Sequence, residues 1–243
     1  VGTGRIAERF VAEARYASGL IVTSAFNPDI ESVNKFKKKC SEYDIAIETE
    51  QYDRFLENVD AVYIASTHET HYDYVKKALL ARKHVLCEKP LAFTKQESEE
   101  LYEIASGNNV VLMEAIKAAY CPGFQQLLNV VQSGKIGEIR DVEACFSRIA
   151  SVNSRERTDV KYGGAFLEFG SYTLLPIIKL LGTDYRDIHF DTIYDENGVD
   201  LYTKVYMSYD NAMALSKNGV AVKSEGQLVI AGTKGYILAP SPW

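Results

Sequence analysis

The sequence His-Val-Leu-Cys-Glu-Lys-Pro-Leu occupies positions 84–91 and predicts a buried strand that ends at a lysine. Residues 85–87 form a short apolar run between polar and charged residues. Pro90 has no backbone N–H to donate, so a central strand cannot continue through it, and we expect the strand to end at Lys89. A lysine at the carboxyl end of a strand in an open α/β sheet lies where such sheets bind their ligands.

The chain starts with Val-Gly-Thr-Gly-Arg-Ile-Ala at positions 1–7, a G-x-G-x-x-A fingerprint that leads into a helix. Its glycines allow backbone amides to approach a pyrophosphate, and the helix start adds N–H groups and the positive end of its dipole. Simple packing of small residues is the alternative. The helical pattern predicts one apolar face, formed by Ile6, Phe10, Val11 and Ala14. Only Val1 precedes the motif, so we expect the strand that should launch this loop to be missing.

Composition predicts an ordinary protein of two domains that functions in the cytoplasm. The 243 residues carry 27 Lys plus Arg against 33 Asp plus Glu, a net charge of -6, which argues against a nucleic-acid partner. The four cysteines form no C-x-x-C pair and fit a reducing compartment. No apolar segment approaches membrane-spanning length and no signal peptide is visible, although a start at Val1 would conceal a removed one.

Short apolar strands alternate with helices up to about residue 115, as in a parallel sheet. The predicted strands are residues 20–26, 44–48, 60–65, 85–89 and 110–113, and the helices between them are 32–40, 72–81 and 95–106. Beyond this point the pattern changes to an antiparallel sheet with helices on one face. Its predicted helices are 124–132 and 165–181, its strands 138–149, 201–209 and 227–231, its polar loop 151–161, and its turns 134–137, 196–198, 217–219 and 233–235.

Four motifs occur in order along the chain. They are G-x-G-x-x-A from Gly2, Cys-Glu-Lys-Pro at 87–90, Gly-x-Ile-Gly at 134–137, and Gly-Gly-Ala-x-x-Glu-x-Gly-x-Tyr at 163–172. Together they resemble the Gfo/Idh/MocA family of NAD(P)-dependent oxidoreductases over essentially the whole chain, and Glu-Lys-Pro is that family's signature.

The resemblance implies an N-terminal Rossmann domain, a doubly wound parallel sheet, over residues 1–115. It implies a C-terminal α+β domain with an open, mostly antiparallel sheet over residues 116–243, incomplete at its C-terminus because family members continue past Trp243. The exposed face of that sheet commonly mediates dimerisation, so a homodimer or a dimer of dimers is expected.

The family resemblance also implies the reaction, which is hydride transfer at a hydroxyl-bearing carbon of a sugar, cyclitol or related diol. Met-Glu-Ala at 113–115 together with Tyr172 is similar to the dihydrodiol dehydrogenase and glucose-fructose oxidoreductase branch. The inositol dehydrogenase branch usually carries histidine at the position of Tyr172.

Lys89 and Tyr172 are the predicted catalytic residues. Hydride transfer from a carbinol carbon leaves a carbonyl, so a positioned base must take the hydroxyl proton. A free tyrosine has a pKa of about 10, but a neighbouring ammonium favours the phenolate and lowers that value. Tyr172 therefore suits the acid/base and Lys89 the group that orients the substrate, with Lys89 as the proton donor in the alternative assignment. In the alternative interpretation, Lys89 is a surface lysine at the end of the strand and Tyr172 only packs against apolar neighbours. We expect both side chains to converge on the nicotinamide ring.

Helix periodicity places Glu168 and Tyr172 on one face. The family usually has aspartate at the position of Glu168, where it touches a substrate hydroxyl. Alternatively, Glu168 is a buried carboxylate that pairs with Lys89 or accepts a hydrogen bond from a backbone amide. Gly163 and Gly164 precede the helix, and their lack of side chains would let substrate oxygens approach its N-terminus. The predicted substrate-binding residues are Lys89, Lys117, Glu168 and Tyr172.

Ser-Thr-His-Glu-Thr-His at 66–71 follows a predicted strand at its carboxyl end, where family members resemble T-P-N-x-x-H. His68 stands at the usual asparagine, beside the cofactor, and we expect His71 to be a structural histidine that fixes the loop rather than a catalyst. Zinc proteases need histidines four apart on one helical face, whereas these are three apart, so we predict no metal.

The cofactor prediction is NAD or NADP. A carboxylate at the end of the second strand would accept a hydrogen bond from the ribose 2′-hydroxyl of NAD. An arginine there would bind the 2′-phosphate of NADP. The sequence offers Asn27, with Asp29 just past Pro28, and the absence of a carboxylate at the strand end favours NADP. The predicted cofactor-binding residues are Gly2, Thr3, Gly4, Arg5, Ile6, Phe26, Asn27, Ser66, Thr67, His68, His71, Glu88 and Lys89.

Two further interpretations stay open at this point. Some proteins of this fold sense sugars or dinucleotides without turnover, although retention of both Lys89 and Tyr172 argues against that role. The chain could also be a fragment, because family members begin with a full strand before the glycine loop.

Overall fold

The computed structural model describes residues 1–42, 45–48 and 51–240, which form two compact units, Val1–Ala115 and the residues from Ile116 onward. The first unit contains helices α1 (Arg5–Ala14), α2 (Ile30–Lys39), α3 (Tyr52–Glu57), α4 (His71–Leu80) and α5 (Lys95–Gly107). Its strands are β1 (Ser24–Phe26), β2 (Ala46–Glu48), β3 (Ala61–Ile64), β4 (His84–Cys87) and β5 (Leu112–Glu114), and a short 3₁₀ turn spans His68–Thr70.

All strand pairs in the first unit are parallel: β1 with β2, β3 with β4, and β4 with β5. Val1 and Gly2 join the two groups of strands. The Gly2 N–H donates to the Phe26 carbonyl over 2.9 Å, and the Val1 amino group donates to the Tyr63 carbonyl over 2.7 Å. A cavity of about 600 Å³, lined mostly by apolar side chains, lies between these two groups of strands. The first unit therefore has the predicted parallel α/β fold.

Strand β4 ends at Cys87, two residues before the predicted end at Lys89. The Glu88 N–H still donates to the Ile64 carbonyl at 2.8 Å, but the chain then leaves the sheet ahead of Pro90. Lys89 consequently lies in the loop that follows the strand.

The buried face of α1 differs from the prediction by one position. Ala7, Val11 and Ala14 are buried, whereas Ile6 is 38% exposed. The spacing of four and then three residues selects Ala7 rather than Ile6 because these three positions share one side of the helix.

The second unit contains α6 (Pro122–Gln132), α7 (Arg155–Thr158) and α8 (Ala165–Leu181). Its strands are β6 (Ile139–Ser147), β7 (Asp187–Tyr194), β8 (Asp200–Ser208), β9 (Met213–Gly219), β10 (Leu228–Gly232) and β11 (Tyr236–Ala239), and a 3₁₀ turn spans Lys117–Tyr120. The strand order is β11-β10-β6-β9-β8-β7, with β6 and β9 parallel and the other neighbours antiparallel. The predicted open, mostly antiparallel sheet is confirmed. No helix among the described residues has the length and apolar character that crossing a bilayer requires.

The predicted turn at 217–219 is wrong, because these residues form the end of strand β9. Asn218 is fully buried between this strand and α8, where Thr173 donates to its side-chain oxygen over 2.8 Å. Ser216 donates to the Thr173 hydroxyl over 2.8 Å, and the Asn218 amide donates to Ser216 over 2.9 Å. The three buried side chains satisfy one another and set the register of α8 on β9.

We predict that Thr173→Val destabilises the second unit. Valine keeps the shape of threonine but removes the hydroxyl, so buried polar groups of Ser216 and Asn218 lose a partner, at a cost of about 1–3 kcal/mol. Urea unfolding measures this loss, and Thr183→Val at an exposed position is the matched control. Equal unfolding free energies for the two variants would show that the buried triad does not contribute to stability.

Candidate active site

The carboxyl ends of β1, β3 and β4 meet at one edge of the first unit. Gly2 is held there between Phe26, at the end of β1, and Ala65, which follows β3. Its φ is +89°, and a Cβ atom on Gly2 would lie 2.5 Å from the Ala65 carbonyl oxygen. Only glycine fits this position, because both the backbone conformation and the space exclude a side chain.

Gly4 differs from Gly2 because its Cβ position is open. Nothing lies within 4 Å of a Cβ built on Gly4, which is the N-cap of α1. Among the described residues, no side chain caps this helix start, and the first helical bond runs from Glu8 N–H to the Gly4 carbonyl. The N–H groups of the first turn, which includes the exposed Arg5 and Ile6, therefore lack helical acceptors. Open space beside such amides fits the pyrophosphate of a dinucleotide.

Asn27 connects the glycine loop to the end of β1. Its side-chain amide donates to the Thr3 hydroxyl over 2.9 Å, and its side-chain oxygen accepts from the Asp29 N–H over 2.8 Å. Asp29 caps α2 by accepting from the Glu31 N–H over 3.0 Å. The Phe26 side chain is buried, so the backbone of this residue is the part that reaches the loop.

The loop after β3 holds Ser66, Thr67 and His68. The Thr70 N–H donates to the Thr67 carbonyl over 3.0 Å, which closes the 3₁₀ turn. The Thr70 hydroxyl donates to Ser66 Oγ over 2.7 Å and lies 2.8 Å from the same carbonyl. The His68 ring stands edge-on to His71, with centroids 5.6 Å apart. Thr67 is exposed and His68 is half-buried, so both stand at the surface of this edge.

Lys89 is 8% exposed and follows the end of β4. Glu114 is its acidic neighbour and accepts from the Leu91 N–H over 2.9 Å. Burial raises the pKa of the Glu114 carboxyl, while the Leu91 N–H and the Lys89 ammonium act in the opposite direction. Glu88 accepts from the Tyr63 hydroxyl over 2.5 Å.

The Met-Glu-Ala motif that contains Glu114 does not indicate the position of this carboxylate beside Lys89. The register of β4 on β5 pairs Cys87 with Glu114, and this places the carboxylate next to the loop that follows β4. No local pattern shows that register.

In the second unit, Glu168 lies in the first turn of α8 and is held near Arg148. The Arg148 guanidinium is 3.8 Å from the Glu168 carboxylate and also pairs with Glu156. The Glu168 side chain is 18% exposed. Arg148, which directly follows β6, was absent from the predicted site because this part of the chain meets α8 only in the folded unit.

The expectation that substrate approaches α8 through Gly163 and Gly164 is wrong. A Cβ on Gly164 would lie 1.6 Å from the Asp200 carboxylate, which accepts from the Phe166 N–H over 2.7 Å. A Cβ on Gly163 would lie 2.5 Å from the Asp159 carbonyl. The protein itself fills both spaces and caps the helix, so the two glycines serve packing.

Tyr172 is half-buried on the same helix and stacks on Phe146, with ring centroids 5.3 Å apart. Lys117 is exposed in the 3₁₀ turn that opens the second unit. The structure thus brings the predicted cofactor residues together within the first unit. His71 differs from the others because it is completely buried, with both ring nitrogens facing backbone carbonyls, so its side chain is not available to the cofactor. Glu168 and Tyr172 lie on one helix of the second unit. Convergence of Lys89 and Tyr172 stays a prediction. Among residues 1–42, 45–48 and 51–240, no group of three or more His, Cys, Asp or Glu side chains is arranged to hold a metal.

Two family models match this chain. Residues 1–116 match the oxidoreductase family with an NAD-binding Rossmann fold, and residues 124–238 match the GFO/IDH/MocA C-terminal domain. The matched segments cover both units, so the predicted family and the NAD(P)-binding domain are confirmed.

The similar proteins include oxidoreductases of known activity. The scyllo-inositol 2-dehydrogenase (NADP(+)) IolU of Bacillus subtilis is 29% identical, over 98% of this chain and 74% of the relative. The trans-1,2-dihydrobenzene-1,2-diol dehydrogenase of Xenopus laevis is 28% identical, over 76% of this chain but only 56% of the relative. A 3-ketoreductase from Actinomadura kijaniata was solved with TDP-benzene and NADP as a lysine-to-alanine mutant and as a tyrosine-to-phenylalanine mutant. Both structures are 25% identical, with TM-scores of 0.81 and 0.84, and cover 99% of this chain and 74% of the ketoreductase.

Gly2 and Gly4 should respond differently to alanine. We expect Gly2→Ala to destabilise the first unit by about 1–3 kcal/mol or more, because the methyl group meets the Ala65 backbone at a positive φ. Gly4→Ala should change the unfolding free energy by about 1 kcal/mol or less. It should weaken dinucleotide binding by about tenfold or more, about 1.4 kcal/mol, because the methyl enters the open space beside the amides.

Urea unfolding and calorimetric titration with NADP and NAD measure the two effects separately. Wild-type dinucleotide affinity in Gly4→Ala would contradict the binding role of this loop. Wild-type stability in Gly2→Ala would contradict the close packing against Ala65.

Proposed function

Because the chain belongs to the Gfo/Idh/MocA family of oxidoreductases, we propose that it transfers a hydride between NAD(P) and a hydroxyl-bearing carbon of a sugar, cyclitol or cyclic diol. The observation that carries this proposal is the burial of Lys89 at the sheet edge that also holds the glycine loop. Buried ionisable groups at such an edge are strong candidates for chemistry. The inositol and dihydrodiol dehydrogenases among the relatives support a small polyhydroxylated substrate.

In this proposal the bound nicotinamide supplies the hydride acceptor or donor. During oxidation, the carbinol C–H bond breaks and its electron pair leaves with the hydride, while the hydroxyl proton leaves the substrate oxygen. The phenolate form of Tyr172 receives that proton on its phenolic oxygen and becomes the neutral phenol, and the Lys89 ammonium donates a hydrogen bond to the substrate oxygen. The ammonium also favours the phenolate form of Tyr172. The reverse reaction returns the proton from Tyr172 to the carbonyl oxygen.

Glu168 and Lys117 are assigned to substrate hydroxyl groups. A carboxylate accepts hydrogen bonds from hydroxyls, and an ammonium donates them. The Arg148 guanidinium, 3.8 Å from the Glu168 carboxylate, supports this assignment because it helps to hold the carboxylate in position.

NADP is the proposed cofactor in preference to NAD. The side chain of Asn27 is engaged with Thr3 and the Asp29 N–H, and Asp29 is engaged as the cap of α2. Neither supplies a carboxylate committed to a ribose 2′-hydroxyl, the feature that would select NAD. The NADP named for IolU and for the ketoreductase structures supports the same choice.

We expect Lys89→Ala to lower turnover by about 10³-fold or more, and Tyr172→Phe to lower it by about 10²–10⁴-fold, the range typical of a lost acid or base. Dinucleotide binding should stay largely intact in both variants. The assay follows nicotinamide absorbance with scyllo-inositol, trans-1,2-dihydrobenzene-1,2-diol and a panel of sugars, using NAD and NADP in parallel.

Lys77→Ala, which changes an exposed lysine of α4, is the matched control. A larger loss in Lys89→Ala than in Tyr172→Phe, together with a shifted pH profile in Lys89→Ala alone, would assign the proton transfer to Lys89 instead. Wild-type turnover in Lys89→Ala would refute the proposed role of this residue, and binding of NADP without turnover of any panel member would favour a sensor.

The proposed assembly is a homodimer formed through the open face of the six-stranded sheet. Strand residues alternate between faces, so positions next to the buried Val205 and Ser216 point away from α8. This open face carries five exposed apolar side chains: Ile193, Tyr206, Met213, Tyr236 and Leu238. Exposed apolar side chains collected on one face mark an interaction surface. The proposed compartment is the cytoplasm, which four free cysteines fit.

We expect Met213→Glu to convert the dimer into a monomer. Met213 is the first residue of β9, an inner strand of the sheet, and its side chain is exposed on the open face. Burying an unpaired carboxylate there would cost several kcal/mol. Light scattering after size-exclusion chromatography measures the mass, and Leu80→Glu, at an exposed position of α4, is the control. A dimer that survives Met213→Glu would place the interface elsewhere.

A further inference from the structure

His71 is completely buried at the start of α4 and lies between two loops of the candidate site. Its Nδ1 atom is 2.8 Å from the Pro90 carbonyl oxygen, in the loop that carries Lys89. Its Nε2 atom is 3.2 Å from the Ser66 carbonyl oxygen, in the loop that follows β3. One ring therefore bridges the ends of two neighbouring strands.

Both partners of the ring are carbonyl oxygens, which only accept hydrogen bonds. A neutral imidazole has one N–H and can donate to one of them. Burial lowers the pKa of His71, against the opposing effects of the two carbonyls and of Glu88 and Glu69, and so favours the neutral ring at physiological pH. The shorter contact assigns the proton to Nδ1, which donates to Pro90.

Backbone hydrogen bonds also hold the residues on both sides of the Pro90 carbonyl. The Glu88 N–H donates to the Ile64 carbonyl over 2.8 Å, and the Leu91 N–H donates to Glu114 over 2.9 Å. Lys89 lies between these two anchors, and the Pro90 carbonyl held by His71 is the third. The direction in which the Lys89 side chain leaves the backbone depends on all three.

We propose that His71 is a positioning residue that aims the Lys89 ammonium through its hydrogen bond to the Pro90 carbonyl. The inference deepens the proposed function, because it assumes that Lys89 acts on the substrate. Loss of the bond would let the 88–91 loop shift, and a shift of about 1 Å in a catalytic group can lower the rate by about 10²-fold.

Asparagine and glutamine separate the two contacts of the ring. The asparagine amide nitrogen is as many bonds from the backbone as Nδ1, so His71→Asn keeps a donor for Pro90. The glutamine amide nitrogen corresponds to Nε2, so His71→Gln loses the donor for Pro90 and places a donor beside the Ser66 carbonyl instead. Both variants bury the same uncharged amide, which makes them a matched pair.

We expect His71→Gln to lower kcat by about 10²-fold and His71→Asn to retain most of it, with NADP affinity equal in the two. Turnover is measured with the panel substrate that the wild type converts fastest, and melting temperature reports folding. A second measurement needs no activity: acetic anhydride labels lysines, and mass spectrometry follows Lys89. Its labelling should accelerate in His71→Gln and stay slow in His71→Asn.

Each outcome decides the proposal. Wild-type kcat with slow Lys89 labelling in His71→Gln would overturn it, as would equal losses in the two variants or a loss confined to NADP affinity. If Lys89→Ala keeps full turnover, the proposed function fails, yet faster Lys89 labelling in His71→Gln would still support the positioning role. If Lys89→Ala is inactive while His71→Gln matches the wild type in both measurements, only the positioning role fails.

Discussion

Parallel pairing of β3 with β4 positions the polar residues of the first unit. The register sets Ile64 opposite Cys87, so the loops that begin at Ala65 and Glu88 leave the sheet side by side. Gly2 packs against Ala65 on the other side of β3 and adds the glycine loop to the same edge. A shift of this register by one residue would turn each buried strand side chain to the opposite face and would separate the loops.

Burial at this edge explains why its polar residues occur in linked groups. A buried polar atom without a partner costs about 1–3 kcal/mol, so each one must be matched where it lies. His71 is matched by the Pro90 carbonyl, Glu88 by Tyr63, and Glu114 by the Leu91 N–H. These partners hold the loop around Lys89 in a single arrangement. The same bonds that stabilise the fold therefore also pre-organise the candidate site.

Helix α8 is oriented by comparable means in the second unit. Asp200 caps its first turn, and Thr173 registers its middle on β9 through Ser216 and Asn218. Both contacts lie on the side that faces the sheet, and they fix the rotation of the helix about its axis. This rotation decides where Glu168 and Tyr172 point, because residues four apart share a helical face. The same contacts therefore stabilise the unit and determine where its candidate site residues lie.

Local patterns predicted the change from a parallel to a mostly antiparallel sheet, most helices and strands, and the glycine loop, because periodicity and glycine reflect backbone conformation. They did not predict contacts between distant segments: Glu114 beside Lys89, Arg148 beside Glu168, and Asp200 against Gly164. Three glycines show why local patterns cannot predict such contacts. Gly2 is excluded from bearing a side chain by the Ala65 backbone, Gly164 by the Asp200 carboxylate, and Gly4 by nothing within 4 Å. A motif records that a side chain is missing, but only the surrounding fold shows whether protein or open space takes its place, and open space is what leaves room for a ligand.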